Sequence, residues 1–405
     1  MKNKVLKKVT PSKKEKEKVE SVIREISNKI NNSIKKQNVS AKLTLGGSVA
    51  KGTWLPGVSD IDFFLQFCRK YGNLSDLTEK ILKDFKAERV KGSRDYFIIN
   101  YKGFEIEVVP VLDTKIPKKA ENITDISPLH VNWIKSKIKE NKNLQDEIKI
   151  AKLFLKAQKC YGAESYIKGF SGHVTDILIY YYRSFDKFIK ESSKWKSKVF
   201  IDAEKHYRNK EEALAKMNES KLYGPMIVVD PIQLERNAAA ALDKEKFELL
   251  IKAAKAYLKK PNISFFEEKK INLNDLKKTK GNLIVLEASP KKKRKDAAGA
   301  ELLKRFERVK RKLKENDFKF SDSGWQWYPK EKAIYWFYFM DKKLSNTKRH
   351  DGPLLNSDKE DIKRFKDKWK NVKKDKRYYI IINRKYTKPK DLIKKIKDVK
   401  IIYSY

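Results

Sequence analysis

The sequence predicts an α+β chain, with strands and helices mixed early, a mostly helical middle and an α/β region at the end. Three observations predict it. Ile61-Asp62-Phe63-Phe64-Leu65-Gln66-Phe67 is rich in aromatic and branched residues, which suits a buried strand. Val19, Val22, Ile23, Ile26, Ile30 and Ile34 recur at the spacing of one helix face. Trp325, Trp327, Tyr328, Tyr335, Trp336, Tyr338 and Phe339 crowd a later stretch that reads as strands.

At 405 residues the chain is long enough for two or three domains. Its 95 Lys and Arg face only 53 Asp and Glu, a formal net charge of +42, so an anionic partner is expected, nucleic acid or an acidic membrane surface. No apolar run approaches a membrane span, and no hydrophobic signal region opens the chain. Two cysteines, Cys68 and Cys160, exclude a disulfide framework and fit a reducing cytoplasm. The four histidines are too scattered along the chain to suggest a Cys/His zinc site.

Taken in order, residues 1–9 read as a basic lead-in that frays. Thr10-Pro11 reads as an N-cap with proline at the first helical position, opening a helix to about Lys36. A short strand at 41–45 feeds the turn Gly46-Gly47-Ser48. The strand at 60–67 is followed by a helix at 75–87 capped by Ser75, then by strands at 95–101 and 104–112 joined around Lys102-Gly103. Ser127-Pro128-Leu129-His130 opens a helix to about Ile138. The next helix, 144–159, carries Ile148, Ala151 and Leu155 on its apolar face, with Lys149, Lys152 and Lys156 on the flank. Lys152 lies nearest the apolar face, so it is the lysine that can turn into a cleft and bind a triphosphate as a point charge. Residues 173–188 read as one helix and 226–231 as a short strand ending in Val229-Asp230-Pro231. Arg236-Asn237 begins an alanine-rich helix.

Around Lys259-Lys260-Pro261 the composition changes. A strand at 283–286, a basic run at 290–295, a basic helix at 301–316, strands near 348–353 and 378–384, and a helix at 390–397 complete the chain. The run at 290–295 reads as a solvated loop or an RNA contact. Aromatics interleaved with Lys and Arg suit RNA, although more than half of these rings read as plain sheet core.

The chemistry is concentrated in residues 44–67. Residues i and i+2 of a strand share a face, so Asp60 and Asp62 project side by side. Two carboxylates that close repel unless a cation lies between them, and hard oxygen ligands suit Mg²⁺ bound with substrate phosphates. Upstream, glycines let backbone N–H groups approach an anion, Ser48 adds a hydroxyl, and a following helix N-terminus attracts negative charge. In the strand at 104–112, Phe104, Ile106 and Val108 alternate with Glu105 and Glu107, and one strand alone leaves the buried face open.

The spacing of Gly46-Gly47-Ser48 from Asp60-Ile61-Asp62 resembles the polymerase-β-type nucleotidyltransferase core. GGSVAKGTWLPGVSDIDFFL is similar in particular to the archaeal (class I) CCA-adding enzymes, as are YKGFEIEVVPV and KLFLKAQKCYGAESYIKGFSGHVTDILIYYYRSF. The resemblance implies a polymerase-β-like palm with a mixed sheet as the catalytic domain at 1–140. It implies a central nucleotide-binding helical domain at 141–258 and a tRNA-binding body and tail at 259–405. By the same resemblance Asp60, Asp62 and Glu107 are catalytic and hold two Mg²⁺ ions, while Gly47, Ser48, Lys51, Ser127, His130, Lys152 and Tyr161 bind the nucleotide. Asp230, Arg236 and Asn237 belong to the part that reads the base edge. Arginine offers a fork of donors and no acceptor, so a base acceptor and a phosphate both stay open as its target.

Three departures stand out. The family usually has Asp where this chain has Glu107. It has a His-Pro-Tyr turn where this chain has Ser93-Arg94-Asp95-Tyr96, so no function is carried to Arg94. It has an acidic, tyrosine-containing helix start where this chain has Asp296-Ala297-Ala298-Gly299-Ala300. The implied activity is addition of C, C and A to the tRNA 3′ end from CTP and ATP, without a nucleic-acid template. The implied partner surface is the acceptor arm and 3′ end, in the cytoplasm and away from membranes; the resemblance also admits a homodimer. Family members usually continue beyond the position of Tyr405, so a shortened grip on the far end of the acceptor arm is expected. Two alternatives share the fold: a poly(A)-polymerase-type enzyme that uses ATP and ignores CTP, and a non-catalytic RNA-binding protein.

Overall fold

The chain opens on α1 (Lys2–Val9), where a frayed lead-in was expected. Val5 and Val9, one turn apart, are buried in an apolar core, and that burial orders the segment despite its lysines. The structure is a computed structural model and describes residues 2–196, 198–279, 281–292, 294–329 and 331–405. It divides into two units, Met1–Lys269 and Lys270–Tyr405.

In the first unit α2 (Lys13–Lys36) is capped by Ser12, which forms a capping box with Glu15. Thr10 does not cap it; its hydroxyl donates to the Leu6 carbonyl at the end of α1. The stripe Val19, Val22, Ile26, Ile30 and Ile34 is buried as its spacing requires. Then come β1 (Ala41–Leu45), the one-turn α3 (Gly47–Lys51) and β2 (Asp60–Phe67). Next, α4 (Leu74–Ile81) is capped by Asn73 rather than Ser75 and stops short of Ala87, with Lys86 turning left-handed at φ +52°. The unit continues with β3 (Glu88–Val90), β4 (Tyr96–Tyr101) and β5 (Phe104–Leu112). These five strands form one mixed sheet in the order β1-β2-β5-β4-β3. Only the β2–β5 pairing is parallel. The α2 stripe packs with Ile61, Phe63, Leu65, Ile106 and Val108, so that face of the sheet is core.

A second core belongs to the helices α5 (Ser127–Glu140), α6 (Asn143–Ala157), α7 (Gly172–Tyr182) and α8 (Phe185–Ser192). The single helix expected at 173–188 is two: Arg183 turns left-handed at φ +67°, and Ser184 caps α8. Then follow β6 (Val199–Ile201), α9 (Lys210–Lys216), β7 (Met226–Val228) and α10 (Lys244–Lys259), with β6 and β7 paired in parallel. The alanine-rich stretch after Arg236 is turn rather than helix. Asn237 captures the Val228 and Ala239 N–H groups, and the helix waits for the Asp243 cap.

The second unit comprises α11 (Leu273–Lys278), β8 (Asn282–Ala288), α12 (Lys295–Glu315), β9 (Phe320–Gln326), β10 (Ala333–Phe339), β11 (Thr347–Leu354), α13 (Lys359–Lys368), β12 (Lys373–Lys374), β13 (Arg377–Asn383), α14 (Pro389–Ile393) and β14 (Lys400–Ser404). One sheet runs β14-β8-β10-β9 and the other β11-β13-β12. The basic helix starts at Lys295, not Glu301, and α14 is shorter than expected; Lys293 of the basic run lies outside the described residues. Tyr335, Trp336, Phe337, Tyr338 and Phe339 are buried, so most of these rings are sheet core, while Trp325, Trp327 and Tyr328 are half-buried. No described helix is long and apolar enough to cross a membrane.

Candidate active site

The carboxylates come together because of strand register. In the parallel pairing of β2 with β5, Asp60 stands opposite Glu105 and Asp62 opposite Glu107. Paired positions share a sheet face, so all four acids lie on the face away from Ile61, Phe63, Ile106 and Val108. That settles the orientation of the 104–112 strand: its apolar residues face the core. Asp60 and Glu105 are exposed, while Asp62 and Glu107 are half-buried. Burial, together with the charge of Asp60, pushes Asp62 up to about 6, with Lys51 acting in the opposite direction. Carboxylates gathered this closely suit a hard divalent cation, and Asp60, Asp62 and Glu107 have the donor set to hold one.

The glycine turn rests on this edge. The Gly46 N–H donates to the Asp62 carbonyl at 2.7 Å. Gly47, at φ +57°, has no room for a side chain: a Cβ there would fall 1.6 Å from Asp62 Oδ2. Ser48 follows, half-buried in the first turn of α3, and its carbonyl accepts from the Thr53 N–H.

At the end of α3, Lys51 Nζ donates to Asp176 Oδ2 at 2.8 Å. Lys152 of α6 is buried; its Nζ donates to Thr53 Oγ1 at 2.8 Å and lies 3.6 Å from Asp176 Oδ1. The Lys51 carbonyl also accepts from Gln145 of α6. Tyr161, half-buried beside Gly172, has its hydroxyl pushed up by burial and by the Asp176 charge. The two lysines predicted from sequence therefore meet at one buried carboxylate that sequence reasoning missed. Its signal was available: Asp176 is a lone acid among Val174, Ile177, Leu178 and Ile179, all buried.

A second polar group forms around Asp230, which is fully buried. Its Oδ1 accepts from the Ile232 and Gln233 N–H groups and lies 2.8 Å from His130 Nε2. Its Oδ2 accepts from Arg236 at 2.6 Å and lies 3.3 Å from His173 Nε2. The imidazole rings of His130 and His173 stand 4.1 Å apart. Burial alone would raise Asp230, but the two histidines outweigh it and hold the carboxyl well below its usual range. Burial also lowers His173 to about 4, against the pull of Asp230. Donor atoms of His130, His173 and Asp230 lie within 4.8 Å of one another, a spacing that a metal ion could bridge. Arg236 and two backbone N–H groups already occupy the carboxylate, so its lone pairs are satisfied within the protein. From sequence His173 reads only as a helix start, and the scatter of histidines along the chain hides its meeting with His130.

Ser127 is half-buried in the first turn of α5, three residues from His130. Asn237 is buried and spends its amide on backbone, accepting from Val228 and Ala239 and donating to Lys221 and Met226. Arg94, half-buried, pairs with the buried Asp125, which also accepts from the Leu112, Glu121 and Asn122 N–H groups. The pair pins the 113–126 connection to β5.

A mixed sheet presenting paired carboxylates beside a glycine turn is the architecture of a nucleotidyltransferase. A solved cytoplasmic RNA terminal U-transferase shares this fold at a TM-score of 0.53, with 13% identity over 67% of this chain and 98% of that one. So does a structure of the Cid1 poly(U) polymerase, at 0.53 and 14% identity over 66% and 98%. Residues 3–148 match the model of a second messenger oligonucleotide or dinucleotide synthetase domain, and 146–267 that of the tRNA nucleotidyltransferase second domain. Residues 282–401 match the CCA-adding enzyme C-terminal domain. The CCA-adding enzyme of Nanoarchaeum equitans is 35% identical over 89% of this chain and 86% of its own length, and that of Methanosarcina mazei is 29% identical over 96% and 87%. The chain belongs to the family of CCA-adding enzymes.

Proposed function

We propose that this enzyme completes tRNA 3′ ends, adding C, C and A in turn from CTP and ATP without a nucleic-acid template. The observation that carries the reading is the acidic edge Asp60–Asp62–Glu107 beside the glycine turn, in a chain of this family. The 3′-hydroxyl of the tRNA gives up its proton to water, its oxygen attacks the α-phosphorus, the bond from that phosphorus to the α,β-bridging oxygen breaks, and pyrophosphate leaves with that oxygen and its electron pair. Divalent ions, Mg²⁺ by the hardness of the oxygen donors, would be held by Asp60, Asp62 and Glu107 and would supply charge neutralisation and activation of that hydroxyl. The backbone around Gly47, the Ser48 hydroxyl, Lys51, Lys152 and Tyr161 position the triphosphate, so much of the catalysis is placement and charge stabilisation. Ser127, His130 and the Asp230–Arg236 pair lie towards the base, and Asn237 shapes the loop that presents Arg236.

The tRNA partner draws on the chain's charge of +42 and on the second unit. There a groove of about 560 Å³ between α12 and Asp398 is lined by Lys304, Arg305, Arg308 and Arg311, with Glu301 and Glu307. The free thiols of Cys68 and Cys160 fit a cytoplasmic enzyme.

The test is extension of three tRNA transcripts, ending before CCA, after C and after CC, each offered CTP, ATP or both with Mg²⁺. Growth that halts after CCA is expected. ATP-only tailing without a stop would place the chain with the poly(A)-type enzymes, and tRNA binding without incorporation would leave a non-catalytic RNA-binding protein.

A further inference from the structure

We propose that Asp176 is a positioning residue for the incoming triphosphate, its buried carboxylate aligning the ammonium groups of Lys51 and Lys152. The inference rests on the reading of those two lysines given above. Asp176 has no exposed surface and sits in α7 among buried apolar neighbours, where a carboxylate persists only when paired. Its Oδ2 is held by Lys51 at 2.8 Å; its Oδ1, shielded from solvent, has no hydrogen-bond partner and faces Lys152 Nζ at 3.6 Å. The lysines arrive from different elements, Lys51 from the end of α3 and Lys152 from the middle of α6. Two ammonium groups brought to one place repel, and a carboxylate shared between them offsets that repulsion. Thr53 Oγ1 then fixes the direction of Lys152.

Two lysines and one aspartate leave the group with one net positive charge, so it still attracts phosphate. Asp176, being anionic, acts on the phosphates only through the lysines. His173, one turn earlier on the same helix, holds Asp230 in the other polar group, so one face of α7 serves both ends of the bound nucleotide.

The experiment is steady-state extension by Asp176→Asn, which keeps the shape and removes the charge. The KM values for CTP and ATP should rise in parallel by about tenfold or more, with kcat within about threefold of the parent and the choice between the two nucleotides unchanged. In a Lys51→Gln/Lys152→Gln background, adding Asp176→Asn should cause no further loss of kcat/KM, since it removes a carboxylate that has lost both partners. That triple variant contains none of the three charges, so it keeps the test open if the single variant fails to fold. A folded Asp176→Asn enzyme with both KM values within about twofold of the parent, or a further loss in the lysine-free background, would overturn the proposal. Lys152→Gln made alone separates the two levels: a parental KM there overturns the triphosphate reading itself, whereas a raised KM combined with a silent Asp176→Asn overturns only the role of Asp176.

Discussion

Gly47 lies directly against Asp62: a methyl group on Gly47 would overlap Asp62 Oδ2, 1.6 Å away. The glycine turn and β2 are therefore one object, and a displacement of either moves the carboxylate. Gly47→Ala combines that overlap with a left-handed φ of +57°, which a side chain resists. Nucleotide incorporation should fall about 100-fold, the usual consequence of an ångström-scale misplacement, while tRNA binding measured by gel shift stays near the parental value.

Asp62→Ala should abolish incorporation and leave tRNA affinity nearly intact, since removing one carboxylate leaves the chain's 95 Lys and Arg in place. Glu107→Gln, which keeps length and removes charge, should lower kcat by about 100-fold or more. Normal turnover in either variant would remove the acidic edge from the mechanism.

Acidity should report on Asp62. Its carboxyl is raised to about 6 in the metal-free fold, mainly by burial and then by Asp60. A folded pKa above the unfolded one gives stability that is complete below the unfolded value, near 3.9, and is lost as pH rises through about 6. Metal-free parent should therefore lose thermal stability relative to Asp62→Asn between about pH 4 and 7. The comparison with Asp62→Asn isolates this group from His173, whose lowered pKa acts oppositely by weakening the fold on acidification. Divalent ions should restore the parent at neutral pH and leave the Asn variant unmoved.

Binding of tRNA should be strongly salt-dependent. If six to ten phosphates are neutralised, affinity falls by roughly 10³ to 10⁵ between 50 and 200 mM salt. A flat salt profile in a filter-binding titration would contradict a phosphate-tracking surface in a chain of this charge.

Val9→Ala should destabilise the first unit by about 2 kcal/mol, because Val9 is fully buried among the helices. Urea unfolding would show it as a lower midpoint at unchanged slope.

What could be read from the sequence was what short-range chemistry dictates. The strand at 60–67 and the turn before it were legible because both motifs lie within 24 residues and each residue type has a local reason. The α2 stripe was legible from its period. The first helix was not: Val5 and Val9 have helical spacing, yet the lysines between them look solvated until a distant core covers one side. The alanine-rich stretch after Arg236 carries helix propensity, but Asn237 diverts the backbone hydrogen bonds to β7. His173 and Asp176 were invisible as a pair of site residues because their partners, Asp230 and Lys51, lie 57 and 125 residues away.

The burial of α1 has a temporal side. Val5 and Val9 belong to a core supplied by α6, α7, α8 and α10, all of which leave the ribosome much later. At roughly 5–20 residues per second, α1 waits on the order of 10 s for the first of those helices. During that interval a strongly basic, amphipathic segment is available to chaperones and to ribosomal RNA, and the first unit closes its helical core only when translation has passed most of its length.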